Sequence, residues 1–178
     1  KLEWGVELNG KRLGKLFVME EPLRLAMRVP VGGLAEGTNR LALIPPKETD
    51  DVLIGPIEVR AASVERLLSE AELDISVVDE KTRRPLPCRI TITTPADVLL
   101  PFHVAQTNVA VRPGIIYSGD GRVRAGLMAG ACRVYATRGF EYGVAVTNLT
   151  VASGDRARVE LVLKREVETI SWASCDTH

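Results

Sequence analysis

The chain has 178 residues, and its 23 Lys and Arg are balanced by 23 Asp and Glu, so it carries no electrostatic footprint for nucleic acid or an anionic membrane. Apolar residues make up 46% and aromatics only 4%; a core can be built from Val, Leu, Ile and Ala, the composition that suits sheets. Three widely spaced cysteines exclude a zinc knuckle and a complete disulfide set, and no apolar run reaches the roughly 20 residues that span a bilayer.

The first segment reads as strands. In "WGVELNGKRLGKLFV" the pair Asn9-Gly10 separates two alternating runs, the strongest short signal for a hairpin, because both residues tolerate the positive φ of a type I′ turn. "LRLAMRV" then sets Leu23, Leu25, Met27 and Val29 on one face against Arg24 and Arg28. A Gly-rich turn precedes a strand over 41–44, and "DDVLIGPIEVR" reads as a further apolar strand, with Pro56 favouring an edge or a bulge. At Ala61 the period changes. Ser63 can cap a short helix carrying Val64, Leu67, Leu68 and Ala71 at helical spacing.

Beyond it the pattern is again β. "ELDISVVDEKTRRPLPCRITITT" predicts strand, polar turn and strand, whereas "PADVLLPFHVAQTNVAVRPG" is irregular and reads mostly as loop. Hairpin turns are expected at Gly119-Asp120-Gly121 and Ser153-Gly154-Asp155, with a tighter turn at Gly130. The last strand alternates Val159, Leu161 and Leu163 against Arg158, Glu160 and Lys164. Many short strands with regular turn signals predict an all-β protein of two β-sandwich-type domains joined by a short helical linker.

Catalytic patterns are scarce. There are two histidines, His103 and His178, with no nucleophile elbow, no HExxH and no phosphate-cradling loop. Adjacent acids such as Glu20-Glu21 and Asp79-Glu80 point to opposite faces of a strand and do not converge. One cluster differs. "ATRGFEYG" gathers Arg138, Phe140, Glu141 and Tyr142 between two glycines that permit a bend. Arg and Tyr anchor interfaces, so the cluster is a candidate docking or recognition surface; the plainer reading is an ion pair and two rings packed at a sandwich rim. Trp4, Phe17, Phe102 and Tyr117 could supply a sugar-stacking platform, but they are scattered, and a lone Trp on a strand is usually core.

The closing "SWASCDTH" resembles the start of a PHP-type, carbaryl-hydrolase-like metallohydrolase domain, in which the first metal-binding strand reads Asp-x-His-x-His. Asp176, Thr177 and His178 match its first three positions. Upstream, "DISVVDEKTRRPLPCRITIT", "VRPGIIYSGDGRVRAGLMAGACRVYATRGFEY" and "LTVASGDRARVELVLKRE" are similar to the carboxypeptidase-regulatory or transthyretin-like sandwich that precedes the hydrolase in large bacterial members. "VELNGKRLG", "GLAEGTNRLAL" and "DDVLIGPIEV" resemble the closing half of a galactose-binding-like jelly roll, with four or five of its roughly eight strands.

These resemblances imply a β domain at 1–60, a helical linker at 61–71, a sandwich at 72–168 and the beginning of a truncated metallohydrolase domain at 169–178. His178 would then be a metal ligand only in a longer parent protein. A divalent metal is expected in that parent's catalytic domain, and no cofactor in this fragment, since one ligand cannot hold a catalytic metal. The expected partner is the chain's own C-terminal catalytic domain, with no nucleic acid and no membrane. A carbohydrate-binding module acting on glycan is the alternative. A secreted or periplasmic location is favoured, although the cysteines do not fix the compartment.

Overall fold

The computed structural model describes residues 3–17, 21–49, 51–169 and 171–172. The fold is all-β apart from one turn of helix. Strands β1 (Glu3–Leu8) and β2 (Lys11–Phe17) form the expected hairpin, with Asn9 at φ 51° and Gly10 at φ 74°, as a type I′ turn requires. Asn9 has a second task. Its amide donates to Gly33 O at 3.0 Å and accepts from Arg40 N at 2.8 Å, which lays β3 (Leu41–Ile44) along the other side of β1. Trp4, Val6 and Leu8 are buried on one face of this three-stranded sheet.

Two segments expected as strands join no ladder. Residues 23–29 keep their alternation, with Leu23, Leu25, Met27 and Val29 half-buried and both arginines exposed. Yet only Leu23 pairs, with Leu99 in the sandwich. The segment runs across the sheet: Met27 lies against Gly14, which faces Val6 across the ladder. Residues 51–59 belong to no strand, and Leu53 is 99% exposed. Apolar alternation specifies an extended chain with one wet face; it does not supply the neighbouring strand.

Helix α1 (Val64–Leu67) begins at Ser63, whose Oγ accepts from Arg66 N at 3.2 Å. The sandwich comes next: β4 (Ala71–Asp79), β5 (Cys88–Thr93), β6 (Phe102–His103), β7 (Val109–Arg112), β8 (Ile115–Ser118), β9 (Arg122–Leu127), β10 (Gly130–Thr137), β11 (Ala145–Val151) and β12 (Arg156–Leu163). One sheet has the order β11-β10-β5-β8-β7, the other β12-β4-β9-β6. Between them lie Leu73, Ile75, Val77, Ile90, Ile92, Ile116, Val134, Leu161 and Leu163, all essentially dry. Full burial of such side chains is worth roughly 1.5–3 kcal/mol each.

The turns expected at 119–121 and 153–155 are real, but neither closes a hairpin. Each carries the chain from one sheet to the other, as do the connections β4–β5 and β9–β10. The stretch expected as loop supplies β6 and β7, short strands that run between prolines. Gly121 explains the tightness of the β8–β9 crossing. It sits at φ +69°, and an added Cβ would fall 2.5 Å from Leu86 O and 2.7 Å from Val77 O. Gly119 beside it has nothing within 4 Å.

Gly121→Ala should therefore cost about 2–4 kcal/mol, from a left-handed backbone and a backbone clash together. Gly119→Ala should change stability by less than about 1 kcal/mol. Urea unfolding of both variants checks the contrast.

Candidate functional site

The cluster singled out in "ATRGFEYG" sits where the chain leaves the sandwich. Gly139, at φ +56°, turns the chain after β10. Residues 141–143 then meet the segment just after β12. Gly143 N donates to Lys164 O at 3.0 Å and Glu166 N to Glu141 O at 2.9 Å, and Tyr142 bridges to Arg165. An added Cβ at Gly143 would lie 2.7 Å from Glu166 Oε1, the end of an exposed side chain that can turn aside.

Side chains reinforce this seam. Arg165 Nη2 reaches Glu141 Oε2 at 2.6 Å, and Thr169 Oγ1 donates to Glu141 Oε1 at 2.6 Å, so both carboxylate oxygens are used. The pair is only a quarter to a third exposed, which places it between a surface bridge and a buried one. Arg165 and Arg138 hold their guanidinium carbons 5.4 and 5.6 Å from the Tyr142 ring centroid, within cation–π range. Tyr142 and Glu141 both favour the charged form of Arg165 and hold its pKa up. Arg138 also donates to Pro87 O at 2.9 Å.

Three of the four expected residues, Arg138, Glu141 and Tyr142, are thus brought together. Phe140 is not; it projects from the turn, 70% exposed. Arg165 and Thr169 were missed by sequence reasoning. Their only signal is their place just after the last alternating strand. His178, together with Asp176 and Thr177, lies outside the described residues.

The remaining candidates separate. Trp4 is buried and Phe102 is half-buried against the sandwich core; the Phe17 side chain lies outside the described residues. Tyr117 is exposed on the outer face of the five-stranded sheet and shares it with Tyr135, a ring that sequence reasoning did not single out. The register puts Tyr117 opposite Arg89, and Tyr135 opposite Thr91. Arg112 and Arg133 stand 5.9 and 6.0 Å from the two ring centroids. Among the described residues the acid bonded there is Asp97, which accepts from Arg133 at 2.8 Å and from Tyr135 Oη at 2.7 Å.

The other sheet has a charged outer face. Asp74 receives Arg124 at 2.9 Å and Arg156 at 2.7 Å, with Glu72 beside both. Hydrogen bonds from Arg124, then Arg156, hold the Asp74 carboxyl below the usual range. This network satisfies itself, as cross-strand pairs on a wet face commonly do. His103 and Gln106 stand at the rim of the groove over this network. Among the described residues no group of three His, Cys, Asp or Glu side chains could hold a metal ion. Burial pushes the Cys88 thiol up to about 11 despite the Arg138 charge nearby, so it stays protonated and unreactive at neutral pH.

If the Glu141–Arg165 pair fastens the seam, Glu141→Ala and Arg165→Ala should each lower the denaturant midpoint of unfolding. The double variant should lose less than their sum. Denaturant curves on the four proteins of the cycle measure it.

No family model matches the chain, and no curated protein matches it. Among solved structures it is similar to GBS52, the minor pilin of Streptococcus agalactiae, at 16% identity and a TM-score of 0.42, over 78% of this chain. The chain spans 57% of that pilin's length, and the all-β description rests on the strands themselves.

Proposed function

We propose that the chain is a non-catalytic β module that docks and orients a C-terminal metal-dependent hydrolase domain in a longer protein. The observation that carries this reading is the seam between residues 138–143 and 164–169. A chain that merely ran out of strand would need no carboxylate with both oxygens engaged, and no tyrosine flanked by two guanidinium groups. Such a seam fixes the direction in which the polypeptide leaves the sandwich. Phe140, exposed beside it, and Trp172, 80% exposed where the described chain ends, are side chains open to contact with the hydrolase domain.

His178 would serve as one metal ligand of that domain. The metal would supply Lewis-acid activation of water, and two or three further protein ligands would be needed to hold it. This reading assigns no catalytic step to the described residues. The natural gene product should therefore be longer than this chain, carry about one or two divalent ions per molecule, and lose thermal coupling between its parts in Phe140→Ala with Arg165→Ala. Intact mass, metal analysis and calorimetry check it. A natural product that ends at His178 and binds no metal removes the reading.

A second reading, carbohydrate binding, is favoured by the face that carries Tyr117 and Tyr135. Two rings in one plane of side chains can stack on sugar faces, and Arg89, Arg112 and Arg133 against one acid select an acidic glycan. Tyr117→Ala and Arg89→Ala should each weaken retardation by an acidic polysaccharide in affinity electrophoresis about five-fold. Unaltered mobility of the parent chain in acidic and neutral polysaccharides alike would exclude it.

A further inference from the structure

Six strands stand at the edges of the three sheets, and five carry some protection. β3, β6 and β7 are two to four residues long. β2 bears Lys11, Arg12 and Lys15, and β12 bears Arg156, Arg158 and Glu160. Shortness and charge are the ordinary devices that stop a sheet edge from recruiting another strand.

β11 has none of them. Its seven residues, Ala-Val-Thr-Asn-Leu-Thr-Val, contain no charge, no proline and no glycine. All seven pair with β10 in unbroken register, from Ala136↔Ala145 to Gly130↔Val151, so no bulge twists the edge away. Val144 is 65% and Val146 52% exposed, and Asn148 and Thr150 are exposed as well. Among the described residues no backbone hydrogen bond reaches residues 145–151 from the side away from β10. Alternate amides and carbonyls along that side are therefore free to pair.

We propose that β11 pairs antiparallel with the β11 of a second copy of this chain, about a two-fold axis at Asn148. Asn148 is the midpoint of the strand, so this register leaves no residue of the seven unpaired. It sets Val146 against Thr150 and Ala145 against Val151 of the copy, in both directions, and Asn148 against itself. β-branched pairs and an amide pair are favourable cross-strand neighbours. An uncharged strand meets no like charge in its own image, and the chain's net charge of zero adds no repulsion between copies. The Asn148 amide oxygen accepts from Arg133 Nε on β10 at 2.9 Å, which leaves the amide nitrogen to face its symmetry mate, and β11 itself offers a partner strand no charge to select. Two five-stranded sheets would become one of ten strands, an isologous interface. One strand pair is smaller than a standard interface, so the dimer forms on the order of tens of micromolar.

Sedimentation velocity of the chain from about 5 to about 300 µM, spanning that affinity, should show a monomer–dimer equilibrium. Val146→Lys and, separately, Thr150→Lys should each weaken it at least ten-fold without altering the melting temperature, since both side chains are exposed. In a Cys175→Ser background, Asn148→Cys should give a disulfide-linked dimer on mild oxidation, while Thr150→Cys, which would face Val146, gives little. A monomer throughout the range overturns the proposal. So does a dimer that neither lysine weakens, or cross-linking that does not favour position 148. None of these outcomes depends on whether a hydrolase domain lies downstream.

Discussion

The sandwich hangs on one parallel ladder. β4, the first strand of the sandwich, and β12, the last, run side by side from Arg156↔Glu72 to Leu163↔Asp79. Their inward residues Leu73, Ile75 and Val77 share a layer with Val159, Leu161 and Leu163, all of them buried. Parallel neighbours cannot be joined by a tight turn, so the chain has to cross to the other sheet and come back before β12 can lie beside β4. Closing a loop of some eighty residues costs only slowly growing entropy, and the apolar stripe on each strand supplies the compensation. Charge reinforces it outside, where Asp74 takes both Arg124 from β9 and Arg156 from β12.

That ladder also decides where the candidate site lies. Because β12 runs parallel to β4, its C-terminal end finishes beside Asp79, and Glu80 N donates to Leu163 O at 2.9 Å. The turn between β10 and β11 opens at the same end, with Arg138 bonded to Pro87 O just before β5. Glu141 and Arg165 therefore meet although 24 residues separate them. The pairing is a consequence of topology, and no local pattern in either segment encodes it.

Local backbone chemistry was readable, and pairing was not. Asn9-Gly10, the Ser63 cap and the inward alternation of β12 each follow from the conformational preference of one or two residues. Gly119-Asp120-Gly121 and Ser153-Gly154-Asp155 were equally visible as turns. A turn signal states that the chain reverses; whether it returns to the same sheet or crosses to the other depends on which apolar face fits opposite, and both sheets offer one. Residues 51–59 show the same limit from the other side, since their apolar character is that of a strand and their partner is missing from the described residues. At the site, Arg138, Glu141 and Tyr142 stood out because aromatics are rare. Arg165 and Thr169 carry ordinary side chains and gain their role only through the seam.

The seam and the unprotected edge are consecutive in the chain, and this links their consequences. Gly143, whose amide is held by Lys164 O, is succeeded at once by Val144 and the run of β11. The position at which the edge strand begins is thereby set by the segment leaving β12. Loosening Glu141 from Arg165 would free the start of β11 to shift or fray, and a seven-residue strand that frays by two loses nearly a third of its pairing groups. Local openings of this kind draw on the weakest contacts of a structure first. With both oxygens engaged, Glu141 holds the segment after β12 and the approach to β11 at once. It is the anchor required if both the outgoing chain and the edge strand must keep fixed positions for the surfaces they contact.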